Sequence, residues 1–125
     1  MAKSKSSPAP RLNDIVEAIE LVRKEMADVT LEAFEADIRK RWLVERGLEI
    51  ISEASRHLSS ALKAWHTHIP WSKVAGIGNV LRHEYERIAH HVLWRVVRDD
   101  LTGLARVCRH ELAADRTRER SKPSK

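Results

Sequence analysis

The sequence predicts an all-α fold, an antiparallel bundle of about four or five helices. Apolar residues recur at three- and four-residue intervals through most of the 125-residue chain, the spacing that lines one face of a helix. Glycine and proline number only four each, too few for the turns of an all-β chain, and no segment alternates with the period of a strand. A chain of this length fits one domain.

The opening segment MAKSKSSPAPR, residues 1–11, cannot bury a core and is expected to be a disordered basic tail. The folded domain is expected over residues 12–115. Its first helix starts near Leu12 with Asn13 as N-cap and buries Leu12, Ile15, Ile19, Val22 and Met26. Asp28-Val29-Thr30 breaks the chain, and Thr30 caps a long second helix that runs to about Leu62. Leu31, Phe34, Ile38, Trp42, Leu48, Ile51, Ala54 and Leu58 form its apolar side. Gly47, costly within a helix, marks either a close crossing or a bend.

Lys63 to Pro70 reads as a connection, with Pro70 placed to start a short helical turn at Trp71. Gly76 and Gly78 loosen the backbone before a helical stretch from Asn79 to Tyr85. A last helical region from about His90 to Ala114 follows, divided at Thr102-Gly103, and residues 116–125 form a second disordered basic tail.

The net charge of +5 belongs to the ends. The two tails carry +3 and +4, leaving a body of 15 basic and 17 acidic side chains. That balance excludes a strongly basic DNA-binding domain; no recognition helix rich in base-reading side chains is evident, and no specific DNA is expected as partner. The single cysteine, Cys108, excludes an intrachain disulfide and suits a reducing cytoplasm, with the thiol as a small core residue. No apolar run is long enough for a signal peptide or a membrane span, so no membrane partner is expected.

Chemistry concentrates in Gly76-Ile77-Gly78-Asn79-Val80-Leu81-Arg82-His83-Glu84-Tyr85. Within four residues it gathers a guanidinium, an imidazole and the only tyrosine, a set able to hold phosphate oxygens and move protons. The same residues could instead complete helix packing, and spacing leaves both readings open. His66 with His68, and His90 with His91, lack the partners of a zinc site, so no metal is expected. Trp42, Trp65, Trp71 and Trp94 are expected to pack the core and interface, and Arg39-Lys40-Arg41 to form a solvated face.

Ile69-Pro70-Trp71, Gly78-Asn79, Leu81, His83-x-Tyr85, Val92-Leu93-Trp94 and Asp99-Asp100-Leu101 resemble the second half of the HepT-type toxins of the HEPN superfamily. Glu49 to Ala54 resembles that family's middle helix, with Ser52 where glycine is usual. The similarity runs in order from about Leu12 to Leu104. It implies an HEPN-like all-α homodimer that is a metal-independent endoribonuclease without a cofactor, cleaving RNA at a composite site in the dimer interface. It also implies a cytoplasmic type VII toxin–antitoxin pair, in which a minimal nucleotidyltransferase antitoxin neutralises the toxin by AMP transfer to the motif tyrosine.

The family motif is an arginine, four residues, a histidine, one residue and a tyrosine. Matched to it, His83 takes the histidine place as acid or base. Tyr85 takes the tyrosine place as phosphate contact and modification site, and Asn79 stands as the polar neighbour of the arginine. The arginine place holds Gly78. Because residues 78 and 82 lie four apart and long side chains lean toward the helix N-terminus, Arg82 can place its guanidinium where an arginine at 78 would act, provided the backbone between them is helical. The alternative is a catalytically silent HEPN-type module that binds a nucleotide or its partner.

Overall fold

The computed structural model describes residues 7–84 and 89–121. These form seven helices: α1 Ala9–Glu25, α2 Leu31–Ala36, α3 Ile38–Arg56, α4 Ser60–Ala64, α5 Trp71–Glu84, α6 His90–Asp99 and α7 Leu101–Ser121. Among the described residues there is no strand, as the periodicity predicts. No described helix is long and apolar enough to cross a membrane.

Helix α1 begins at Ala9, earlier than its apolar stripe suggests, and Asn13 lies exposed inside it rather than capping it. Pro8 and Pro10 suit this first turn, where no intrahelical N–H bond is lost. Ser7 fastens the start, accepting from the Ala9 amide at 3.0 Å and donating to Asp115 Oδ2 at 2.7 Å. The same Asp115 is buried on α7, which continues to Ser121. Both expected tails are therefore helical in part, from Ala9 to Arg11 and from Arg116 to Ser121.

The expected long second helix is three helices. Asp28 turns the chain out of α1 with a left-handed φ of 60°, and Thr30 caps α2 as expected, its Oγ1 accepting from Ala33. Asp37 then adopts an extended backbone and its Oδ1 accepts from the Arg39 and Lys40 amides, closing α2 and opening α3. Ser59 repeats the device for α4. An unbroken apolar period hides these breaks because capping side chains occupy exposed positions that the stripe does not read.

Helix α3 is central, with α1 on one side and α5 on the other, and α7 packs on the far side of α1. Leu12, Ile15, Ile19 and Val22 of α1 are buried with Val44, Leu48 and Ile51 of α3 and Leu104, Ala105 and Cys108 of α7. At Gly47 the α1–α3 approach is close: a Cβ there would stand 2.5 Å from Val22 Cγ2. Gly47 is thus a crossing within a continuous helix rather than a break in it. Phe34, fully buried, seats α2 against α6 and α3. The last helical region divides at Asp100 rather than at Thr102-Gly103.

Candidate functional site

Helix α5 carries the candidate residues. Its N-terminus is held by Trp71, whose indole Nε1 donates to the Lys63 and His66 carbonyls at 3.1 and 3.0 Å. Pro70 initiates the helix as expected, but the helix is fourteen residues long and passes through Gly76 and Gly78 without interruption. The glycines do not loosen it because Gly78 is buried against α3 and its backbone is hydrogen-bonded there.

The contact at Gly78 is with Ser52 of α3. Ser52 Oγ donates to the Ala75 carbonyl at 2.7 Å and accepts from the Gly78 amide at 3.2 Å. A Cβ built on residue 78 would meet Ser52 Oγ at 2.8 Å and Arg82 Nη1 at 3.5 Å. The Arg82 side chain therefore leans back one turn and sets its guanidinium beside residue 78, the arrangement the four-residue spacing anticipates. Arg82 lines a cleft with Arg11 and Asp14 of α1 and Arg46, Glu49 and Glu53 of α3.

The carboxylates of this cleft are partly committed. Glu49 pairs with Arg46 at 3.4 Å, and Glu53 accepts from Arg56 at 2.6 Å and bonds His57 at 2.9 Å. The bonds from Arg56 and His57 pull the Glu53 carboxyl down to about 2. Among the described residues no ion pair joins a carboxylate to Arg82, and three arginines and three carboxylates share the cleft.

Asn79 and His83 are exposed and four residues apart, hence on one strip of α5. His83 does not line the cleft that Arg82 enters. Within one chain the structure unites Arg82 with the position of Gly78, and Asn79 with His83, but not the two pairs. Tyr85 lies outside the described residues.

His66 and His68 serve packing. His66 Nε2 bonds Glu111 Oε2 at 2.7 Å, joining the α4–α5 connection to α7, and its ring meets those of His68 and His110 edge-on. Among the described residues no three His, Cys, Asp or Glu side chains are arranged to hold a metal ion. His90 meets the buried Phe34 edge-on, and His91 is exposed. Trp71 and Trp94 pack against the core as expected and also donate to backbone carbonyls, whereas Trp42 and Trp65 are 64% and 63% exposed. Trp42 lies on the side of α3 opposite the buried Val44, Leu48 and Ile51, and Trp65 is the C-cap that ends α4. Cys108 is buried, and desolvation, then the nearby Glu111 charge, pushes its thiol up to about 12.

Sequence reasoning missed Ser52 as a contact of α5, and Arg11 as a cleft residue because it fell within the expected tail. The signal for Ser52 was present in the resemblance, where it stands in a glycine position opposite a glycine in the arginine position.

The fold is an all-helical bundle whose helix α5 carries Asn79, Arg82 and His83 at exposed positions. The comparison with known proteins goes further: the family described as "Ribonuclease HepT-like" matches residues 15–111. The chain is 37% identical over 100 residues to a Thermococcus cleftensis protein named "Probable ribonuclease HepT", covering 80% of this chain and 91% of that relative. It is 33% identical over 90 residues to a Methanocaldococcus jannaschii protein named "Putative RNase MJ1380", covering 72% and 83%. No solved structure matches it. The chain belongs to the HepT-like ribonuclease family.

Proposed function

We propose that the protein is an endoribonuclease toxin of a type VII toxin–antitoxin pair, acting as a homodimer and independent of metal. The observation that carries the reading is the unbroken α5, which lets Arg82 set its guanidinium 3.5 Å from the point where a side chain at residue 78 would begin. On this reading the Arg82 guanidinium stands in for the motif's arginine, since residue 78 is glycine. The family membership and the ribonuclease names of the relatives support the same reading.

In the reaction a base removes the proton of an RNA 2′-hydroxyl, whose oxygen attacks the adjacent phosphorus. The bond from phosphorus to the 5′-oxygen breaks, and an acid protonates that leaving oxygen. His83 acts as base or acid, Arg82 holds the charge that grows on the phosphoryl oxygens, and Asn79, on the strip of His83, positions the substrate. His83 and Arg82 of one chain are both exposed, but only Arg82 lines the cleft between α1 and α3. A two-fold pairing of chains would present two copies of each to one RNA and supply an acid and a base together. Neutralisation follows when the Tyr85 hydroxyl, giving up its proton, attacks the α-phosphorus of ATP on the nucleotidyltransferase antitoxin, pyrophosphate leaves, and the attached AMP blocks the RNA groove with charge and bulk.

Cleavage of an end-labelled RNA by purified chain tests the reading. His83→Ala is expected to lower the rate by about 10²–10⁴-fold, and Arg82→Ala by about 10²–10³-fold. Full activity in either folded variant would remove that residue's role. Tight binding of the antitoxin without cleavage by the unaltered chain would establish the silent binding module instead.

A further inference from the structure

Ser52 is 1% exposed, and its hydroxyl is spent on the backbone of the helix that carries the site. A hydroxyl has one proton to give and lone pairs to accept with. Ser52 uses both, giving to the Ala75 carbonyl and accepting from the Gly78 amide, two groups three residues apart on α5. Such bonds fix the rotation and the axial position of α5 against α3, because each is directional. The approach they require leaves no room at residue 78: a Cβ would stand 2.8 Å from Ser52 Oγ and 3.1 Å from Ser52 Cβ. Neither atom can swing away, since Ser52 is enclosed and its Oγ is held twice.

We infer that Ser52 is a positioning residue of the ribonuclease site: its hydroxyl clamps α5, obliges residue 78 to be glycine, and so assigns the site's cation to Arg82 one turn further on. The inference rests on the proposed role of Arg82. It also entails a reciprocity. Removing the Ser52 side chain opens the space at residue 78, so an arginine moved from 82 to 78 is accommodated only in a chain with glycine at 52.

The test combines RNA cleavage kinetics with thermal unfolding midpoints for Ser52→Gly, Gly78→Ala, their double variant, Arg82→Ala, and the triple variant Ser52→Gly, Gly78→Arg, Arg82→Ala. Folded Ser52→Gly is expected to lose about tenfold or more in kcat with KM changed less than about threefold, since a displaced charge forfeits contact made in the transition state. A purely structural serine would lower stability without that split. Gly78→Ala is expected to lower the midpoint by about 5 °C or more beside Ser52 and by less than about half as much beside glycine. The triple variant is expected to cleave about tenfold or more faster than Arg82→Ala, the gain one restored charge contact gives.

An unchanged kcat in folded Ser52→Gly, equal midpoint losses in both backgrounds, or a folded triple variant no faster than Arg82→Ala would overturn the inference. Coupled midpoints with an unaltered chain that does not cleave RNA would overturn the functional reading and leave the Ser52–Gly78 clamp standing. Uncoupled midpoints with a cleaving chain would overturn the clamp alone.

Discussion

Where α3 meets α1, the backbone at Gly47 lies against Val22; where α3 meets α5, the backbone at Gly78 lies against Ser52. Both contacts depend on a missing Cβ, yet one neighbour is a methyl group and the other a hydroxyl. The methyl contact is non-directional: it gains from burial and dispersion over a range of rotations, so it sets how near the helices come. The hydroxyl contact fixes rotation and register as well, through its bonds to Ala75 and Gly78. Candidate chemistry stands on the seam whose geometry is held by directional bonds, and the apolar seam holds the bundle together.

The comparison can be broken most forcefully at a third junction, where His66 bonds the buried Glu111. Glu111 Oε1 has no hydrogen-bond partner among the described residues, so His66 is what satisfies that carboxylate. His66→Ala is expected to lower stability by about 3 kcal/mol, because a buried carboxylate is left unpaired. Urea unfolding measures the loss, and Glu111→Leu in the same chain should recover part of it. RNA cleavage by the folded fraction should stay within about twofold of normal, a factor worth well under 1 kcal/mol in barrier height. A large fall in kcat would mean that the α7 junction, too, positions the site.

Gly47→Ala sharpens the contrast directly. Crowding against Val22 costs about 1–3 kcal/mol, and replacing a helical glycine returns about 1 kcal/mol, so a net loss of about 1 kcal/mol is expected by chemical denaturation. A double-mutant cycle with Val22→Ala should show the two residues coupled, with kcat unaffected throughout. If kcat falls as it is expected to for Ser52→Gly, the two seams are not separable.

Near neutral pH the smallest effect comes from the buried thiol, whose contribution changes only in alkali. Cys108, ordinarily near 9.0, is pushed up to about 12 in the folded chain. Its folded form keeps a proton that the unfolded form gives up, so stability is complete below pH 9 and falls as pH rises from 9 toward 12. The slope is at most about 1.4 kcal/mol per pH unit. Cys108→Ala should flatten that part of the stability profile, and the thiol should resist alkylation in the folded chain. Rapid native alkylation would show the α1–α7 side of the core to be open.

Much of this was legible in the sequence, and the places where it was not have physical reasons. The α1 and α7 stripes stand out because helical period and burial coincide at Leu12, Ile15, Ile19, Leu104 and Cys108. The break at Asp37 is invisible to periodicity, since the apolar residues Phe34, Ile38 and Trp42 recur every four residues across it, and only the Asp37 carboxylate bonds to the Arg39 and Lys40 amides reveal it. Trp42 follows Phe34 and Ile38 at four-residue spacing and is nonetheless exposed, because α3 buries the opposite side, that of Val44, Leu48 and Ile51. Ala9 to Arg11 end a Ser-, Pro- and Lys-rich stretch that suggests a tail, but Ser7 and Asp115, more than a hundred residues apart in the chain, join across the bundle and hold them in place.

By itself the sequence determined the helical class, the core stripes, the family resemblance, and the local gathering of Asn79, Arg82, His83 and Tyr85, because each depends on neighbours within a few turns or on an ordered set of motifs. Only the tertiary structure decided that Gly78 lies buried inside an unbroken helix and that Arg82 leans to its side. The reason is Ser52: the close approach of α3 supplies a partner for the glycine's amide, and no local pattern along α5 encodes the distance to another helix.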